Sequence, residues 1–354
     1  MRVVQLIDSL DIGGGERMAV NLANLLTEKG IPNLLISSRK GGPLEVLVKD
    51  QSSLLILSKK GTLDFLTFFD LLKKIRAFDP SVIHAHDSSI FWASILGVFL
   101  PKTQILWHAH YGGFSSENGR FGKQVKFVQN RIDIVIAVNL DLLDWVKKEL
   151  PRIPKCKFIG NFPDKISDQP VDRRRNNWII SLANLKKPKN HRSLVLAFSK
   201  VAKLNPALKL ALIGTCEDEE YLRDLKILIQ SENLEEKTTI TGPVISLKNW
   251  FDKARFAVLS SDVEGLPVSI LELGISGVPV LCSAVGACPE LLGDGRYGYL
   301  AAPNDPISLE SQMMEMIKNQ EEALFKAEGF KEKVISEFGG DNFFKEYSTL
   351  LNQN

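Results

Sequence analysis

Cysteine is scarce in this chain: four residues in 354, Cys156, Cys216, Cys282 and Cys288, lie far apart or in no metal-ligand spacing. That excludes a disulfide framework and a zinc-finger module, and it fits a reducing compartment. The N-x-S/T sequon is missing as well. No apolar run reaches the ~20 residues of a membrane-spanning helix; the longest candidate, Ser88 to Leu100, is too short. Met1-Arg-Val-Val runs directly into an alternating strand and helix pattern, so no secretory leader is expected. Gly13, Gly14 and Gly15 do not make G-x-G-x-x-G, and no Walker lysine follows them, which argues against a dinucleotide fold and a P-loop. What remains, at 44% hydrophobic and 24% charged residues, reads as a globular cytoplasmic protein.

The length suits two domains of ordinary size. The net charge of +2 hides an asymmetry: residues 1–165 hold 22 Lys and Arg against 16 Asp and Glu, about +6, which leaves about −4 for the remainder. No basic, aromatic-studded stretch supports nucleic acid as the partner. An anionic membrane surface or a phosphorylated acceptor suits the basic half better.

The first strand, Val3 to Ile7, leads through DSLDIGGGER into a helix expected from about Glu16 to Lys29. Further strands are expected at about 34–37, 54–57, 82–86, 104–108 and 134–138, alternating with helices, which predicts a parallel sheet covered on both faces. Ligands of such sheets bind at the carboxyl ends of strands. His84, His86, His108 and His110 fall there, and they are all but one of the chain's histidines. Two H-x-H pairs invite a metal, since side chains at i and i+2 share a strand face, but only Asp87 offers a carboxylate nearby. A glycine-rich loop and a helix bearing Arg120, Lys123 and Lys126 beside Phe121, Val125 and Phe127 come next. They read either as a solvated face or as a surface for an anionic lipid or phosphorylated acceptor.

A polar, proline-broken stretch at 164–176 reads as a linker, and a second strand and helix series begins at Trp178. Its centre is Glu264 to Glu290, EGLPVSILELGISGVPVLCSAVGACPE. An apolar run, Phe256 to Leu259, reaches Ser260, Ser261, Asp262 and Glu264; Gly265, Leu266 and Pro267 then break the pattern and open a helix carrying Glu272. Proline suits the first turn of a helix, and the free N–H groups beside it favour an anion such as phosphate. Two carboxylates bracketing a helix start would be about 12 Å apart if the span were all helical. That spacing suits a two-ended ligand better than a hydrolytic acid pair. Solvated surface charge is the bland alternative.

The pair E-x7-E with its internal GLP, followed by GVPVLCSAVGACPELL, resembles the retaining glycosyltransferases of family four. This resemblance implies an α/β GT-B fold, two Rossmann-like βαβ domains facing each other across a cleft: residues 1–163 on the acceptor side, 177–333 for the nucleotide sugar, and 334–354 crossing back. It implies that Glu264 contacts the donor sugar, that Leu266, Pro267 and Val268 hold the diphosphate by their backbone, and that Glu272 takes the ribose. It further implies that Gly14 and Gly15 let backbone approach the donor phosphates, and that a histidine in ILWHAHYGG, His108 or His110, meets the sugar. ANLKKPKNH resembles the family's diphosphate motif, with Lys189 in place and Asn184 where an arginine is usual; asparagine brings neither charge nor fork to a phosphate.

The expectation is an enzyme that transfers sugar from a UDP- or GDP-sugar to a glycan or lipid-linked acceptor in cell-surface polysaccharide or glycolipid synthesis. No cofactor or metal beyond the donor itself is expected, and contact with the membrane is at most peripheral, at the inner face. An epimerase of the same fold, needing no acceptor, and a catalytically silent sugar-nucleotide binder are the alternatives.

Overall fold

A computed structural model of the chain describes residues 1–61, 64–110, 120–163, 176–216 and 218–352, apart from the side chain of residue 120. Two compact units emerge: Met1–Phe162 together with the chain from Gly340, and Pro163–Gly339. Most of the stretch read as a linker, and the loop 111–119 after His110, lie outside the described residues.

The first unit is one parallel sheet of β1 (Val3–Ile7), β2 (Asn33–Ser37), β3 (Leu54–Ile56), β4 (Val82–His86), β5 (Gln104–Ala109), β6 (Ile134–Ala137) and β7 (Lys155–Phe158), in the order β3-β2-β1-β4-β5-β6-β7. Its helices are α1 (Gly14–Glu28), α2 (Phe65–Phe78), α3 (Ile90–Phe99), α4 (Arg120–Val128) and α5 (Leu140–Glu149). Alternate strand residues enter two cores, as period-2 side-chain direction requires of a sheet covered on both faces. Val4, Leu6, Ile83 and Trp107 pack with Phe68, Leu72, Leu96 and Val146 from α2, α3 and α5. Val3, Val82, Leu106 and Ile134 pack with Leu22 and Leu26 of α1 on the other face.

The second unit repeats the plan with β8 (Trp178–Leu182), β9 (Lys209–Ile213), β10 (Thr238–Gly242), β11 (Ala254–Leu259), β12 (Val280–Ser283) and β13 (Tyr299–Ala301), ordered β10-β9-β8-β11-β12-β13. Around it lie α6 (His191–Leu204), α7 (Glu219–Ser231), α8 (Lys248–Lys253), α9 (Val268–Ile275), α10 (Cys288–Leu291), α11 (Pro306–Lys318) and α12 (Gln320–Phe338). A Cβ on Gly274 of α9 would stand 2.5 Å from Phe330 and 2.9 Å from Val334, so glycine is what lets α9 and α12 lie against each other.

The last helix, α13 (Gly340–Asn352), belongs to the first unit. Phe343, Tyr347, Leu350 and Leu351 are buried there with Leu22, Leu26 and Val82. The return to the first unit therefore starts at Gly340 rather than at 334. Val334 still lies in the core of the second unit with Phe330 and Leu271, which keeps α12 there through Phe338.

In each sheet the chain moves outward from a central strand and then resumes on that strand's other side. The two reversals, β1/β4 and β8/β11, are the topological switch points at which open α/β sheets form crevices.

Candidate active site

At the β8/β11 reversal two loops are stitched together. After β8 the chain makes a tight turn over Lys187–Lys189 and passes through Asn190 in the left-handed region (φ 46°) before α6. Asparagine tolerates that conformation and also caps the helix, accepting from the Ser193 N–H at 3.2 Å. The loop after β11 ties to it: the Ser260 hydroxyl donates to the Lys189 and Asn190 carbonyls at 3.0 Å each, the Asp262 N–H donates to the Pro188 carbonyl at 2.9 Å, and the Asn190 amide donates to Asp262 at 2.7 Å. Lys189 and Glu264, 75 positions apart, meet as Nζ to Oε1 at 2.5 Å, and the Ser261 hydroxyl donates to the same oxygen at 2.6 Å.

Only 7% of the Glu264 side chain is exposed. A carboxylate so enclosed needs paired, hydrogen-bonded partners, and Lys189 and Ser261 are those partners. The turn behind it is braced from β12: the Ala287 N–H donates to the Gly265 carbonyl at 3.2 Å. Gly286 sits at φ 53° with its missing Cβ only 2.0 Å from the Glu264 carbonyl oxygen, so no larger residue fits. Leu266 and Pro267 lead into α9, with Pro267 at the cap, in extended geometry, one position before the first helical residue, Val268. The first N–H groups of a helix lack intrahelical acceptors and carry the positive end of its dipole. Glu272 lies buried in α9. Asn184 is exposed on the turn after β8, where the missing Cβ of Gly214 would stand 2.9 Å from its backbone nitrogen.

The β1/β4 reversal of the first unit carries a different set of groups. Gly14 and Gly15 are the first residues of α1 rather than a loop ahead of it, since their backbone takes helical geometry from Gly14 onward. A Cβ on Gly15 would be 3.2 Å from the Asp87 carboxylate and 3.4 Å from the His110 ring, whereas one on Gly14 meets nothing within 4 Å. Asp87 accepts from the His110 N–H at 2.9 Å and fixes that residue at the end of β5. Beneath the glycines, Asp8 gathers Ser88 (2.7 Å), Ser38 (2.8 Å) and Lys59 (3.1 Å). Burial alone would raise its pKa, but Lys59 and the two hydroxyls outweigh this and hold it at about 2.

The four histidines form a ladder across β4 and β5, whose register sets His86 opposite His108. His84 Nδ1 meets the Tyr347 hydroxyl of α13 at 3.2 Å, and His84 Nε2 meets His108 Nδ1 at 3.1 Å. His86 Nδ1 meets His110 Nε2 at 2.9 Å. Burial drives all four pKa values down, that of His84 to about 3, so the rings are neutral at pH 7.

Neutral rings have one donor and one acceptor nitrogen each, and for His86 and His110 the amide of Gln5 decides which is which. Its amide satisfies both ends only with the NH2 toward the Ala19 carbonyl (3.3 Å) and His86 Nε2 (3.0 Å), and the oxygen toward the Ala23 N–H (3.2 Å). His86 Nε2 is then an acceptor, so His86 carries its proton on Nδ1 and donates it to His110 Nε2. His110 in turn carries its own proton on Nδ1, a buried donor with no partner among the described residues.

Of the two histidines proposed for the sugar, His108 is fully buried behind its neighbours, and His110 stands beside the glycines at the partly exposed end. His84, His86 and His108 bring ring nitrogens within 4.8 Å of one another, the one potential metal cluster among the described residues. The donor set has neither carboxylate nor thiolate, and hydrogen bonds to rings, Tyr347 and Gln5 occupy most of its nitrogens.

Sequence reasoning named Asp87 near the histidines and Ser261 at the strand end without saying what they hold, His110 and Glu264. Gln5 and Gly286 emerge only from the structure. The adjacency of Asp87 to His86 and of Ser261 to Asp262 and Glu264 was the available signal.

Two parallel, doubly wound units with their polar groups at both switch points define the GT-B class of α/β proteins. The model of the glycosyl transferases group 1 matches residues 163–330, and that of glycosyltransferase family 4 matches residues 12–164. This chain belongs to the group 1 glycosyl transferases. It is 26% identical over 236 residues to N-acetyl-alpha-D-glucosaminyl L-malate synthase of Bacillus anthracis, which covers 64% of this chain and 61% of that protein. It is 30% identical over 202 residues to a Campylobacter jejuni N-acetylgalactosaminyltransferase acting on N-acetylgalactosamine-N,N'-diacetylbacillosaminyl-diphospho-undecaprenol, covering 55% and 53%. The crystal structure of Anabaena HepE in complex with UDP and glucose superposes over 100% of both chains, with a TM-score of 0.83 at 17% identity, a likeness of fold.

Proposed function

We propose that the protein is a retaining transferase that moves a sugar from a UDP-sugar to a glycan or lipid-linked acceptor in the synthesis of a cell-surface polysaccharide. The single observation that carries this reading is the Lys189–Glu264 pair at the β8/β11 reversal, one turn ahead of the N-terminus of α9. A nucleoside diphosphate leaving group develops negative charge as its bond to the sugar breaks. Lys189 and the N–H groups of Leu266 and Val268 are placed to stabilise that charge, and the reading assigns this compensation to protein groups rather than to a metal. Glu264, an acceptor-only group when ionised, takes hydroxyl protons of the sugar and faces positive charge at its reacting carbon. Glu272 takes the ribose, and His110 donates from Nδ1 to a donor oxygen. The sugar-to-phosphate bond breaks, a bond from the acceptor oxygen to the same carbon forms on the same face, and the acceptor's proton passes to the departing phosphate oxygen.

Structures solved with UDP and a relative named for a lipid diphosphate acceptor support this choice of donor and acceptor class. A lipid-linked acceptor brings the protein to a membrane as a peripheral visitor; no helix among the described residues is long and apolar enough to cross one. The test is a thermal-shift screen of nucleotide sugars, followed by transfer to diphosphate-lipid and free-glycan acceptors with the product's anomeric configuration read by NMR. Stabilisation by a UDP-sugar and a retained configuration are expected. An inverted product refutes the retaining assignment. Donor turnover that needs no acceptor replaces the reading with an epimerase.

A further inference from the structure

The outward face of α3 has no polar side chain. The helix reads IFWASILGVF, without a charge, and its exposed positions are Ile95, Val98 and Phe99. A surface helix of a globular protein ordinarily turns a polar stripe to water, and here that stripe is apolar. Helix α2 extends the same surface with Phe65, Leu66 and Phe69, which share a face through their i, i+3 and i+4 spacing; Leu66 is 88% exposed. Phe68 joins the two sets, its ring centroid 5.8 Å from Phe69 and 6.0 Å from Phe99. Six large apolar side chains exposed on two helices that meet through Phe68 mark an interaction surface.

Cations border it. Lys73 follows Phe69 by one turn on α2, Arg76 follows Lys73, and Lys102 follows the end of α3, all three exposed. A second copy of this chain would bring the same positive border against itself. A bilayer with anionic headgroups offers an apolar interior and negative charge together. The basic helix α4 is less suited than its sequence suggests, because Lys126 is tied to Glu149 and Val125 is buried in the core.

We propose that the α2–α3 face of the first unit docks on an anionic bilayer, with Leu66, Phe69, Val98 and Phe99 entering the headgroup boundary and Lys73, Arg76 and Lys102 meeting lipid phosphates. The proposal rests on the lipid-linked acceptor of the reading above and names the surface by which that acceptor's membrane is approached.

Flotation of the full chain with vesicles of phosphatidylcholine alone, and of phosphatidylcholine mixed with phosphatidylglycerol, tests it. The parent protein is expected to bind the mixed vesicles, and more weakly at high salt. Leu66→Ser with Val98→Ser should lower binding to them on the order of tenfold or more, since the apolar contribution is lost. Lys73→Gln and Lys102→Gln should each remove about fivefold of the advantage of anionic over neutral vesicles. Both changes replace exposed side chains, and circular dichroism together with the UDP thermal shift verifies that each variant is folded. Absence of vesicle binding by the parent overturns the proposal, as does binding that the Leu66 and Val98 changes leave intact. A dimer seen by sedimentation without vesicles and dispersed by the same two changes assigns the face to a second copy and overturns it too. The UDP shift separates the two readings: a parent protein that binds no vesicles yet keeps its UDP shift refutes the docking face alone, and no shift with any UDP-sugar refutes the transferase.

Discussion

The two switch points solve the same problem, a polar site at the end of a buried parallel sheet, with opposite chemistry. In the first unit the groups are four neutral rings in two hydrogen-bonded pairs, His84 with His108 and His86 with His110, and Gln5 sets the tautomers of the second pair. In the second unit they are a charged pair, Lys189 and Glu264, held by hydroxyls and by a glycine that admits no side chain. Neutral rings offer directional hydrogen bonds without attracting counterions, which suits sugar hydroxyls. An ion pair keeps a cation available for phosphate without leaving its carboxylate unpaired in the ligand-free state.

Acid should split the units most widely. Each buried histidine has its folded pKa pushed below the unfolded value of 6.5, so the unfolded chain binds more protons below that pH. The stability each contributes is complete above 6.5 and is lost as pH falls toward its folded value, about 3 for His84. The loss is at most about 1.4 kcal/mol per histidine per pH unit, and four such histidines lie in the first unit. The second unit has His191 alone, held at about 4. Hydrogen exchange followed from pH 7 to pH 4.5 should therefore show the sheet of the first unit opening before that of the second. Simultaneous opening would erase the contrast.

The next effect belongs to the charged site. Glu264→Gln keeps the shape but loses the acceptor-only carboxylate, and turnover should fall on the order of 10² to 10³ with UDP affinity retained, because UDP carries no sugar. Steady-state rates beside UDP titration read both quantities. Smaller is the cost of Gly286→Ala, which places a methyl against the Glu264 carbonyl and strains a left-handed residue, about 1 to 3 kcal/mol. A lowered melting temperature, measured with a lowered UDP affinity, is the expected result. A stable, fully binding variant would mean that the turn does not depend on that brace.

Sharpest for the neutral site is Gln5→Glu. A carboxylate in place of the amide accepts from His86 Nε2, reverses the order of donors along the chain, and moves the His110 proton from Nδ1 to Nε2. Ring nitrogen shifts in histidine-labelled protein report the tautomer directly, and Gln5→Leu, which should leave a mixture, serves where the new charge disturbs folding. A proton already on His110 Nε2 in the parent protein would show that Gln5 does not set the ladder.

Legibility in the sequence followed local signal. Strands β1 and β4 were read to the residue, because each is a short, largely apolar segment bounded by turn residues. The four-residue β7, Lys-Cys-Lys-Phe, was missed, as was the three-residue β13, since short or charged strands carry no pattern of their own. Helix α1 starts two residues before Glu16 because three glycines look like loop, although backbone contacts and the switch point let Gly14 and Gly15 be helical. Both members of the Lys189–Glu264 pair were named from motifs, yet nothing local said that they touch. That contact is created by the pairing of β8 with β11. The histidine ladder needed only the register of β4 on β5, which two H-x-H pairs alone do not specify.

UDP titration of Lys189→Ala tests the central claim, that the β8/β11 reversal holds the diphosphate. A charge-assisted contact to phosphate is worth roughly 1.5 to 3 kcal/mol, so affinity should fall by about tenfold or more. The comparison is made at a temperature where both proteins are folded, since the change also strips Glu264 of its partner. UDP bound by Lys189→Ala as tightly as by the parent would contradict the account.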